Sequence, residues 1–91
     1  MTSQRQSGPR PPKTIHHPKY ILLIGHLRGR RVALGFTQAG LAKQMGVVRT
    51  FVVRVEQRER RLDILELLRW LDVLGMKLVD AEALLAGKER P

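Results

Sequence analysis

Ninety-one residues allow one small domain, and 17 Lys and Arg against 8 Asp and Glu give it a formal charge of +9. The absence of cysteine excludes disulfides and thiolate metal sites, and no apolar run approaches the roughly 18 residues of a membrane span. The charge is one-sided: 13 basic residues face 2 acidic ones up to Arg61 (net +11), and 4 face 6 from Leu62 onward (net −2), a field that attracts polyanions.

Residues 1–18 hold four of the five prolines and almost no large apolar side chain. They read as a flexible basic tail, either an arm that follows phosphates or a leader without a role. No 7–15-residue apolar region follows the basic start, so no secretory signal is expected and the default location is cytoplasmic.

Pro18 suits the first position of a helix, where its missing N–H costs nothing. From there Tyr20, Leu23, Ile24, Leu27, Arg31 and Leu34 recur at spacings of three and four, one helical stripe interrupted by a single arginine. Gly35 closes this helix. Thr37 caps a second, running to about Met45 with Leu41, Ala42 and Met45 inward, and Gly46 makes the next turn. A third helix over about 48–57 puts Val52, Val55 and Glu56 on one side. Its opposite stripe is Thr50, Val53, Arg54 and Gln57.

Arg58 to Arg61 is a charged loop. Asp63, with Glu66 three residues on, starts a fourth helix through a capping box. Ile64, Leu67, Leu68, Leu71 and Leu74 are its expected buried face, with Trp70 at the margin and Gly75 as the stop. Residues 76–79 are either a short strand or the lead-in to a last helix over about 80–87. The expected domain spans 19–87, with 88–91 as a C-terminal tail.

At this point the pattern Leu27-Arg28-x-x-Arg31-x-x-x-Gly35-Phe36-Thr37-Gln38-x-x-Leu41-Ala42-x-x-x-Gly46-Val47 resembles the Cro/C1-type (XRE-type) helix-turn-helix family. Its continuation does too: Phe51-Val52-x-x-Val55-Glu56-x-x-x-Arg60-Arg61-Leu62-Asp63, then Leu71-x-x-Leu74-Gly75. The resemblance covers about residues 20–76. It implies an all-α, compact five-helix domain like that of lambda repressor, which lays its third helix in the major groove of double-stranded DNA.

By that resemblance Arg49, Thr50 and Arg54 read bases, and exposed Val53 either meets a thymine methyl or packs against protein. Gln38, Lys43, Arg58, Arg60 and Arg61 are the expected phosphate contacts. Arg31 and Glu56 each interrupt an apolar face, where an unpaired charge costs several kcal/mol, so they are expected to pair. The family implies the same pair.

Three residues depart from the family pattern. Gly40 replaces the glutamate that completes a capping box with Thr37, Val48 replaces a capping serine, and Val53 stands where a polar residue is usual. With Val48 uncapped, the third helix is expected to start weakly or to shift toward Thr50.

No nucleophile–base–acid constellation and no phosphate loop is visible, so no enzyme and no cofactor is expected. His16, His17 and His26 lack companions for a metal set. The resulting expectation is a dimeric transcriptional regulator, a repressor of an inverted-repeat operator, paired through the exposed margin of the fourth helix, including Trp70, and through 76–87. The alternatives are an antitoxin bound to its toxin or another regulatory protein, a protein-interaction module that keeps the fold, and a basic membrane-surface binder through the first helix.

Overall fold

The computed structural model describes residues 14–86. The C-terminal tail expected at 88–91, and most of the expected N-terminal tail, lie outside those residues. A single 3-10 turn, Thr14–His16, leads into five helices: α1 (Pro18–Ala33), α2 (Gln38–Met45), α3 (Arg49–Glu56), α4 (Ile64–Val73) and α5 (Leu78–Ala86). The expected tail boundary at residue 18 therefore falls inside regular structure.

Three of the helix starts carry a side-chain cap that their sequence supplies. His17 accepts from the backbone N–H of Lys19 ahead of Pro18. Thr37 Oγ1 accepts from the Gly40 N–H at 2.9 Å, and Gly40 returns no bond because it has no side chain. Asp63 and Glu66 complete the reciprocal capping box of α4. At α3, Val48 sits at the cap in extended backbone with nothing for the free N–H groups; the helix nevertheless begins at Arg49 rather than shifting to Thr50.

The first four helices also end alike. After α1, α2 and α4 the chain turns left-handed at Gly35, Gly46 and Gly75. The next N–H bonds back to Arg31, Ala42 and Leu71 respectively, the Schellman arrangement. Helix α3 makes the same closure, with Glu59 N–H to Arg54 C=O at 2.8 Å, but its left-handed residue is Arg58 at φ 59°. A side chain in that region is strained where glycine is not.

The core joins Leu23, Ile24 and Leu27 of α1 to Leu41, Ala42 and Met45 of α2, Val52 and Val55 of α3, Trp70 and Leu71 of α4, and Leu74 just after it. Four residues lie otherwise than expected. Trp70 is fully buried (0% exposed), not marginal, and Ile64 and Leu68 are exposed, not core. Leu34 is also exposed, because the chain has left the helix by Leu34 and the stripe no longer applies.

The rotation of α4 has a physical cause. The helix carries two overlapping apolar stripes, and the one containing Leu67, Trp70, Leu71 and Leu74 buries the larger side chains. Trp70 then meets Phe51 of α3 at 5.9 Å between ring centroids, tilted by 53°. Phe51, half-buried, is thus a core-edge residue.

Residues 76–79 contain no strand. Met76 and Lys77 lead into α5, which already includes Leu78 and Val79, and the Lys77 N–H bonds to Asp80 Oδ2 at 2.8 Å. No helix among the described residues is long and apolar enough to cross a membrane.

Candidate nucleic-acid interface

Helix α3 is held from behind. Val52 and Val55 are buried, and the Glu56 carboxylate sits beneath the helix at the centre of a bonded cluster. Arg31 Nε donates to Glu56 Oε2 at 2.6 Å and Arg31 Nη2 to Oε1 at 3.0 Å. The remaining Arg31 donor, Nη1, reaches the Phe36 carbonyl at 2.7 Å. Gln38 Nε2 donates to Glu56 Oε1 at 3.0 Å, and exposed Arg28 approaches the same oxygen at 4.0 Å. One carboxylate therefore ties α1, the first turn of α2 and the end of α3 together. Bonds to both carboxylate oxygens offset much of the penalty of burying this charge.

The opposite side of α3 is the open one. Arg49, Thr50 and Arg54 are exposed, and Val53 between them is half-buried. Val48, just before the helix, is exposed as well. The spacing of Thr50, Val53 and Arg54 places them on one face, with Arg49 at the N-terminal end from which a recognition helix first reaches base edges.

The expected phosphate residues divide into two kinds. Lys43 and Arg61 are exposed and carry no side-chain ion pair among the described residues. Arg58 is half-buried, its Nε without a partner among the described residues. Gln38 and Arg60, by contrast, have internal work.

Gln38 braces Glu56. Arg60 makes a two-bond pair with Glu66, at 2.8 and 2.9 Å, and its guanidinium carbon lies 4.6 Å from the centre of the Phe51 ring. The hydrogen bond from Arg60, and then that from the Asp63 N–H, hold the Glu66 carboxyl below its ordinary range. The same bond raises Arg60.

Three struts were not legible as such in the sequence. Tyr20 Oη accepts from the Leu62 N–H at 3.1 Å and fixes the loop before α4. Arg30 Nε donates to the Leu74 carbonyl at 3.0 Å, and Arg69 Nη1 to the Met45 carbonyl at 3.0 Å. Both arginines meet the carbonyl end of another helix, where a cation is favoured. Their partners lie far away in the chain, so no local spacing announces them.

The arrangement of a braced helix turned outward after a tight glycine turn is shared with proteins of known family. The helix-turn-helix family model matches residues 27–80 of this chain. The chain belongs to the Cro/C1-type, or XRE, helix-turn-helix family. A solved structure, an XRE-family like protein from Pseudomonas syringae pv. tomato str. DC3000, is 34% identical to it. The match covers 87% of this chain and 95% of that one, with a TM-score of 0.74. No curated protein sequence matches. This XRE chain is accordingly a DNA-binding helix-turn-helix regulator of a typically non-enzymatic family, and the outward face of α3 is its candidate reading surface.

Proposed function

We propose that the chain is a transcriptional repressor that binds an inverted-repeat operator as a dimer. Each copy lays α3 in one of two successive major grooves, about 34 Å apart. The observation that carries this reading is the two-sidedness of α3. Its back is locked by the Arg31–Glu56–Gln38 cluster, and its front offers Arg49, Thr50 and Arg54 to solvent.

Arg49 and Arg54 are the proposed base readers, each able to pair with guanine O6 and N7. Thr50 reads beside them, and Val53 offers methyl groups to a thymine. Lys43 and Arg58 are the proposed phosphate contacts. Gln38 and Arg60 act chiefly by positioning α3 and the loop behind it. A single domain of this size presents a small reading surface, which is why two copies are proposed.

Selection of bound sequences from a random duplex pool tests the reading directly. An inverted repeat with half-sites one helical turn apart is the expected product, and Arg49→Ala should erase preference at one position of each half-site. If no consensus emerges and Arg49→Ala leaves binding unchanged, exposed Val48 and half-buried Val53 belong instead to a protein-binding surface.

A further inference from the structure

Helix α4 is amphipathic, with Glu66, Arg69 and Asp72 along one face, but its apolar face is wider than the core requires. Only one side is covered. Leu67, Trp70, Leu71 and Leu74 face the core, and Ile64, Leu65 and Leu68 stand 57%, 74% and 40% exposed along the other side. Three large aliphatic side chains in adjacent turns form a continuous strip that the monomer's fold does not use.

The strip has a charge pattern of its own. Exposed Arg61 lies just ahead of its N-terminal end, and exposed Asp72 lies at its C-terminal end. Two such strips side by side in the same direction would set like charges together. Turned antiparallel, they set Arg61 of each copy against Asp72 of the other and Leu65 against Leu68. The spacing of the two leucines and their flanking charges, 61, 65, 68 and 72, reads the same from either end. That self-complementarity is what a two-fold interface requires.

We propose that the outer strip of α4 is the face through which two copies of this chain pair, antiparallel about a two-fold axis. The proposal deepens the dimeric reading given above and names its surface. Copies carrying +9 repel one another over most of their surface, and the segment from Leu62 onward is where the charge balance turns negative. Pairing there leaves the basic side of the molecule free. It also replaces the expected contact through Trp70, which is fully buried and unavailable.

Three aliphatic side chains per copy bury well under the roughly 1,200 Å² typical of stable interfaces. The free protein is therefore a weak, reversible dimer, and an operator that holds two copies side by side strengthens the pairing by raising their effective concentration. Salt screens both the repulsion between the +9 copies and the Arg61–Asp72 attraction, so the dimer is less salt-sensitive than binding to DNA.

Sedimentation equilibrium of the full chain without DNA, from micromolar to millimolar and at low and high salt, is the test. Wild type should show a monomer–dimer equilibrium that changes little with salt. Leu65→Glu and Asp72→Arg should each weaken it at least tenfold while keeping the wild-type circular dichroism spectrum and melt. Adding Arg61→Asp to Asp72→Arg should restore most of the association.

A wild type that stays monomeric at millimolar concentration overturns the proposal. So does a dimer that Leu65→Glu and Asp72→Arg leave intact, since another face then makes it. Arg49→Ala separates this proposal from the operator reading: it should leave the dimer unchanged. A dimer that behaves as described but selects no inverted repeat would defeat the operator reading alone.

Discussion

Arg31 and Glu56 form a two-bond ion pair across 25 residues of chain, with the arginine side chain 9% and the glutamate side chain 3% exposed. Neither charge has water to fall back on. Arg31→Ala should therefore cost about 3–5 kcal/mol, because Glu56 remains buried with only Gln38 as a close donor. Replacing both, as Arg31→Met with Glu56→Leu, should recover part of the loss; the Phe36 carbonyl still loses its donor. Urea melts of the three variants check the order. An Arg31→Ala melt that overlays wild type would remove the pair from any structural role.

The reading helix is locally weak at both ends, and each weakness predicts a gain. Val48→Ser supplies a hydroxyl to N–H groups that have no side-chain partner, in backbone already suited to a cap. It should stabilise by about 1 kcal/mol, which for a domain of this size raises Tm by roughly 4–8 °C. Arg58→Gly relieves a left-handed residue at φ 59° and should add about 1 kcal/mol. If Arg58 also contacts phosphate as proposed, the glycine variant gains stability and loses DNA affinity. Thermal melts and a binding titration on the same two proteins show both signs.

The pairing of Arg60 with Glu66 makes stability depend on acid pH in a direction that can be worked out. Glu66 titrates lower in the folded protein than when unfolded, because Arg60 and the Asp63 N–H bond its charged form. Its contribution is therefore fully present above the ordinary carboxylate range and is lost as pH falls through the lowered folded value. Glu66→Gln should be less stable than wild type at pH 7, with the difference shrinking toward pH 3. Urea midpoints at both pH values measure this. A difference that held constant across the range would show that Glu66 acts by shape and not by charge.

Helix number, caps and stops were legible from the sequence because their causes are local. Thr37, Gly46, Asp63 with Glu66, and Gly75 each act within a few residues of where they stand. The Arg31–Glu56 contact was also readable, since two charges on apolar faces leave few cheaper arrangements. The orientation of α4 was not. Its sequence offers two apolar stripes, and the choice depends on Phe51, which waits for Trp70 from another helix. The roles of Gln38 and Arg60 divided for a similar reason: each side chain reaches either a phosphate or a carboxylate, and only the folded chain brings Glu56 and Glu66 within bonding distance.

The division between base-reading and phosphate-binding arginines predicts two distinct binding phenotypes. Arg49→Ala should cost roughly 1–3 kcal/mol on the preferred operator and little on unrelated duplexes, because base contacts carry the sequence information. Lys43→Ala should weaken both kinds of DNA alike and lower the slope of log affinity against log salt by about 0.9, the release expected for one phosphate. Titrations on operator and random duplex at several salt concentrations separate them. Should Arg49→Ala reduce the salt slope and spare specificity, Arg49 is a phosphate contact, and base reading on this face falls to Thr50, Val53 and Arg54. Helix α3 would then sit in the groove with its N-terminal end against the backbone and its middle over the bases.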